Sequence, residues 1–121
     1  MRAAIYARSA IAGGCDKQLR QLRTYVVRRS WDDTGEYIDD GVSGLSVRRL
    51  GLDQLLADAA QGQFECVVIS DVARLSRNTG ELLRQIKHFA DAGVKVIAAD
   101  QNVDGRQDYR LLQFLAGFGT K

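Results

Sequence analysis

Apolar and polar positions alternate along the chain in two periods. Arg2 to Arg8 is a short, mostly apolar run with Ile5 and Tyr6 as its bulky members, and it reads as a first strand. Asp16 to Arg29 carries Leu19, Leu22 and Val26 at i, i+3 and i+7, one face of a helix. Thr34 to Asp39 gives a short second strand around Tyr37 and Ile38. A Gly- and Ser-bearing loop follows from Gly41 to Arg48. Leu52, Leu55, Leu56 and Ala59 mark a second helix that stops near Gly62. Phe64 to Ser70 contains Cys66-Val67-Val68-Ile69, the unbroken apolar run of a strand covered on both faces. Asn78-Thr79-Gly80-Glu81 resembles a capping box and opens a third helix, whose apolar side is Leu82, Ile86, Phe89 and Ala90 and whose end is Gly93. Val94 to Ala99 is a fourth strand, and Asp108 to Phe118 a last helix with Leu111, Leu115 and Phe118 in register. This order predicts an α/β fold: a mostly parallel twisted sheet of four to five strands flanked by helices.

Composition narrows the classes. The 121 residues suit one domain, and 45% hydrophobic with 26% charged residues is ordinary for a globular chain. No apolar run reaches the roughly 20 residues of a membrane span, and the first residues lack the apolar core of a signal peptide. Cys15 and Cys66 form no CxxC pair, which fits reduced thiols and a cytoplasmic location and supplies no metal site. The single histidine, His88, falls on the third helix and argues against a Ser-His-Asp hydrolase. No GxxxxGK[ST] motif occurs, which excludes a P-loop. Proline is absent. The 17 basic residues divide into 13 Arg and 4 Lys. Arg binds phosphate in bidentate fashion, so this excess points to phosphate more than the net charge of +2 does, although codon bias gives the same composition.

In sheets of this kind ligands bind beyond the carboxyl ends of the strands. Arg8 and Ser9 follow the first strand. Asp39, Asp40, Ser43 and the pair Arg48-Arg49 follow the second. Ser70, Asp71, Arg74, Ser76 and Arg77 follow the third, and Asp100 the fourth. Several guanidiniums at one sheet edge repel unless anions or carboxylates lie among them. They fit phosphate binding or charge stabilisation during phosphoryl transfer, with a nearby serine as nucleophile. Taken singly, each Arg is better explained by an ion pair with Asp39, Asp40 or Asp71, but that explanation does not extend to the whole set. A metal-dependent phosphoacceptor domain of similar fold needs an acidic pair after the first strand, where this chain has Arg8.

These residues resemble the catalytic domain of the serine site-specific recombinases, the resolvase and invertase group that includes large serine integrases. The resemblance spans nearly the whole chain, 1–121. It rests on Tyr6-Ala7-Arg8 with a serine following, Gln18-Leu19 with Leu22, Asp40-Gly41-Val42-Ser43-Gly44, Arg49 before Gly51-Leu52, and Arg74-Leu75-Ser76-Arg77-Asn78. It implies DNA as partner and strand exchange as activity: serine attack on a phosphodiester, a 5′-phosphoserine intermediate and religation, without metal, cofactor or small-molecule substrate. It implies Arg8, Arg49, Arg74 and Arg77 as phosphate-activating residues, with Asp40 and Ser43 in support. It also implies homodimers and tetramers of the full-length protein.

Three positions depart from the family pattern. The nucleophile's usual place, two after the arginine, is Ala10. Either the site is inactive, leaving DNA binding or protein assembly as the role, or one residue is deleted and Ser9 is the nucleophile. The spacing from Arg8 to Gln18, about one shorter than the family's, favours Ser9. Ala73 stands where the family has an aspartate before the first arginine of the Arg-x-x-Arg pair, and Asp71 is the candidate replacement. Leu50 stands in place of a loop proline. The expected domain is a single catalytic one, with its last helix cut short and no DNA-reading module. The Leu111, Phe114, Leu115 and Phe118 stripe serves as core or as a dimer face.

Overall fold

The computed structural model describes residues 1–41 and 49–101. Four strands form one parallel sheet in the order β2-β1-β3-β4: β1 is Arg2–Ser9, β2 Asp32–Asp40, β3 Cys66–Ile69 and β4 Lys95–Ala98. Three helices cover it: α1 Cys15–Arg28, α2 Leu50–Ala60 and α3 Thr79–Asp91. The expected last helix and most of the loop after β2, Ser43 and Arg48 included, lie outside the described residues.

β1 is central, so both of its faces are buried and its sequence reads as an unbroken apolar run. Side chains alternate along it. Ala4 and Tyr6 join the core under α2 and α3 with Leu52, Leu55, Val67, Ile69, Ile86 and Phe89. Ala3, Ile5 and Ala7 join the opposite core under α1, with Cys15, Leu19, Leu22, Val26, Cys66, Val68 and Ile97. Glycines at positive φ, Gly62 (71°) and Gly93 (75°), end the chain's turn out of α2 and α3, a conformation that costs a side-chain-bearing residue free energy.

β2 is longer than its hydrophobic pattern indicates. It pairs with β1 over the whole of Arg2–Ser9, from Arg2 with Asp32 to Ser9 with Asp40, with one irregularity at Ala3/Ala4. Its first residues are polar and exposed, and among the described residues it is the edge strand of the sheet. β3 is shorter than expected. Ser70, just past its end, accepts a backbone hydrogen bond from Asp100 at 2.8 Å, which ties the ends of β3 and β4 together. The Asn78 cap forms as the sequence indicates, its Oδ1 accepting from the Glu81 amide at 2.9 Å.

Candidate phosphate-binding site at the strand ends

Arg8 continues the Ala4–Tyr6 face of β1. Arg8 as a whole is 2% exposed. It donates to the Ala73 carbonyl (2.7 Å) and the Arg74 carbonyl (3.1 Å) of a 3-10 turn, Val72–Arg74, that follows β3. Arg49, the residue before α2, is also buried. It donates to the Tyr6 hydroxyl at 2.6 Å and to the carbonyls of Leu75 and Arg74, with its guanidinium carbon 5.6 Å from the Tyr6 ring centroid. Two guanidiniums therefore grip one short stretch of backbone. A buried cation needs such acceptors.

The four arginines singled out by the motif converge. Burial is the main cause that pushes the Arg8 pKa below the usual guanidinium value. The neighbouring positive charges of Arg49, Arg74 and Arg77 push it the same way. Arg74 differs from Arg8 and Arg49 in being partly exposed. It donates to the Arg8 carbonyl (3.2 Å) and to Ser70 Oγ (3.3 Å), and it lies 3.6 Å from Asp71. Asp71 also accepts from the Ala73 amide at 3.0 Å, which shapes the 3-10 turn. Arg77 is exposed. Arg74 opens onto a polar cleft of about 370 Å³, lined by Gly14, Lys17, Gln18, Gln21, Ser70, Arg74 and Asp100. Gln18 Nε2 donates to the Arg8 carbonyl at 2.9 Å, so Gln18 and Arg74 share that acceptor.

Ser9 lies on the other face of β1 from Arg8. Its hydroxyl donates to the Ile11 carbonyl (3.0 Å) and accepts from the Ile11 amide (3.1 Å), the short turn that serines favour. A Cβ added to Gly14 would come within 2.1 Å of Ser9 Oγ, so the hydroxyl occupies the space that only glycine leaves at the entry to α1. Gly14 is thus both neighbour of Ser9 and wall of the cleft. Ala10 is exposed.

Asp40 is exposed and accepts from the Gly13 amide at 2.7 Å, pinning the loop after β1. The acid inside the arginine network is its neighbour Asp39, which is 4% exposed. Asp39 accepts from the Tyr6 hydroxyl (2.7 Å) and from the amides of Gly51 (2.7 Å) and Leu52 (3.0 Å), so a carboxylate sits at the N-terminus of α2. Tyr6 links it to Arg49. The Tyr6 pKa is raised, by burial first and then by its bond to Asp39, so the phenol stays protonated and donates. The motif points to Asp40 and leaves Asp39 only as a pairing partner for the arginines, whereas the structure puts Asp39, with Tyr6, inside the network. The available signal was alternation: Tyr37 packs toward α2, and Asp39, two residues on, faces the same way.

Among the described residues no helix is long and apolar enough to cross a membrane, and no group of three or more His, Cys, Asp or Glu could hold a metal.

Comparison with known proteins places the chain in a family and supports the fold. Residues 3–119 match the family model "Resolvase, N terminal domain". A curated protein from Pseudomonas putida described as "Resolvase/recombinase" is 32% identical over 104 residues, which are 85% of this chain and 54% of that protein. The chain thus spans about half the length of that relative. The N-terminal catalytic domain of TP901-1 integrase superposes with a TM-score of 0.87 at 24% identity, over 99% of this chain and 95% of that one. A resolvase family site-specific recombinase from Streptococcus pneumoniae gives 0.85 at 21% identity, over 99% and 86%. At these identities the two structures speak for the fold.

Proposed function

The chain belongs to the resolvase family of serine recombinases, and on that premise we propose that its strand-end cluster serves DNA strand exchange with Ser9 as nucleophile. Ser9 Oγ attacks the phosphorus of a phosphodiester. The bond from phosphorus to the 3′ oxygen breaks, the 3′ oxygen leaves as a hydroxyl after taking up a proton, and Ser9 is left esterified to the 5′ phosphate. A 3′-hydroxyl from another strand reverses the step and returns the serine. The bond energy is kept in the ester, so the reaction needs no nucleotide.

The observation that carries this reading is the convergence of Arg8, Arg49, Arg74 and Arg77, with Arg74 opening to a cleft whose wall, Gly14, touches Ser9. Arg74 and Arg77 have the exposure to meet phosphate oxygens and offset charge that builds up in the transition state. Arg8 and Arg49 hold the turn that presents them. Asp71 orients Arg74, and Asp40, the last residue of β2, holds the loop after β1 through the Gly13 amide; Ser43 keeps the supporting role that the resemblance implies. Ser9 must release Ile11 to attack, so the arrangement described is a resting one. In a longer protein this domain works as a dimer that pairs into a tetramer, with sequence reading left to another module.

A second reading, a domain that binds DNA or assembles without cutting it, draws on Ala73 and on the engagement of the Ser9 hydroxyl by Ile11. A nicked suicide duplex separates the two. The first reading gives a covalent protein–DNA adduct that Ser9→Ala abolishes. Arg74→Ala and Arg77→Ala slow its formation by more than they weaken DNA binding. An adduct that survives Ser9→Ala refutes the assignment of the nucleophile, and equal losses of rate and binding reduce the arginines to anchors.

A further inference from the structure

We propose that the exposed face of α1 is a track for the DNA backbone that leads phosphates away from the Arg74 cleft. The inference rests on the strand-exchange reading, since it takes the duplex to lie at that cleft. Gly14, Lys17, Gln18 and Gln21 form one wall of the cleft, at spacings that share a helix face. The face continues to Arg28, eleven residues beyond Lys17. At 1.5 Å per residue that is about 16 Å, roughly five base-pair steps of duplex.

The charges along it are uncommitted. Lys17, Arg20 and Arg28 are exposed, and no carboxylate pairs with them among the described residues. Arg23, on the adjoining side, is bound by Glu36, with guanidinium-to-carboxylate contacts of 2.5 and 2.7 Å. Arg29, just past the helix, lies 3.6 Å over the Tyr25 ring, which holds one more cation at the far end of the same helix. From Cys15 to Arg29 the sequence has five basic residues and one acid, Asp16. Cations fixed along one helix without counter-charge repel each other, and a polyanion laid along them removes that repulsion. On the other side of the sheet α3 shows the contrasting arrangement, with Lys87 paired to Asp91 at 3.1 Å. The spacing and the continuity with the cleft favour a phosphate backbone over an acidic protein surface.

The test is the salt dependence of binding to a short fluorescent duplex of mixed sequence. Each phosphate contact contributes about 0.9 to the slope of log affinity against log salt. Lys17→Gln with Arg28→Gln therefore lowers the slope by about 1.8. Between about 50 and 200 mM salt the double variant loses about 12-fold less affinity than the parent. Lys87→Gln leaves the slope unchanged. An unchanged slope in the double variant overturns the proposal, as does a parent chain with no salt-dependent binding. A change in mass or melting temperature with the slope intact also overturns it, and shows instead that this face packs on protein. Ser9→Ala separates the two claims: it ends adduct formation if the strand-exchange reading holds, and it leaves the slope alone whichever way that reading falls.

Discussion

Replacing Asp39 by alanine removes a carboxylate that accepts three hydrogen bonds in a buried setting. Two come from the first turn of α2, and losing them resembles losing an N-cap, about 0.5–2 kcal/mol. The third comes from the Tyr6 hydroxyl, a bond to a charged acceptor worth about 1.5–3 kcal/mol. The change also leaves the Tyr6 hydroxyl, which accepts from Arg49, without its own acceptor in a buried setting, at about 1–3 kcal/mol. These contributions describe one network and overlap, so the expected loss is about 3–5 kcal/mol. A domain of this kind has roughly 5–15 kcal/mol in total. Urea unfolding followed by circular dichroism reads the change as a midpoint lowered by roughly 2 M. Asp39→Asn keeps the shape and part of the accepting capacity, and it loses about half as much. The neighbouring Asp40→Ala is the control: it removes one exposed acceptor from the Gly13 amide and costs under about 1 kcal/mol. Equal effects at 39 and 40, or a loss below about 1 kcal/mol at 39, refute the assignment of the buried acid.

Gly14→Ala places a methyl 2.1 Å from Ser9 Oγ and 2.9 Å from the Ile11 carbonyl, and it destabilises by about 1–3 kcal/mol. Ser9→Ala in that background restores part of the loss, and a double-mutant cycle with coupling below about 0.5 kcal/mol contradicts the contact. Burial pushes the Cys15 thiol up to about 11 and the Cys66 thiol up to about 12. Above the ordinary thiol value of 9.0 the unfolded chain releases these protons while the native state keeps them. Stability is therefore untouched below that point and falls from there toward pH 11, by about 1.4 kcal/mol per thiol per pH unit. Melts across that range in Cys66→Ala show a shallower fall, and an equal slope in both proteins contradicts the shift.

The fold was legible because β1, β3 and the three helices carry strong periodicity, and each depends on burying one or both faces. β2 was legible only in part. Asp32 and Asp33 belong to it through backbone pairing with Arg2 and Ala3, and pairing leaves no mark on a hydrophobic pattern. The arginines were legible as a set because they fall just after strands. Their division of labour was not. Arg8 and Arg49 hold carbonyls in the 73–75 backbone, and backbone acceptors are invisible in sequence. The choice between Asp39 and Asp40 depends on which face of β2 each occupies. Tyr37 marks that face through its contact with the α2 core, and the tandem acids hide it from a motif read without the strand's parity.

The same parity bears on how the site assembles. Alternation along β1 sends Arg8 toward α2 and α3 and Ser9 toward α1, so a site built on one face of the sheet could not contain both. The residues that bridge them act at the strand's end, where backbone is shared by the two faces. The Arg8 carbonyl receives Gln18 from α1 and Arg74 from the turn after β3. Arg74 thereby reaches the cleft on the α1 side while its own carbonyl is held by Arg8 and Arg49 from the other. Its side chain and its own backbone thus make contacts on opposite sides of β1. That position explains why two buried cations are retained behind it: they fix the backbone of a residue whose side chain must stay at the opening. On the strand-exchange reading proposed above, this opening is where a phosphate brought to Ser9 would meet the Arg74 charge once the hydroxyl leaves Ile11.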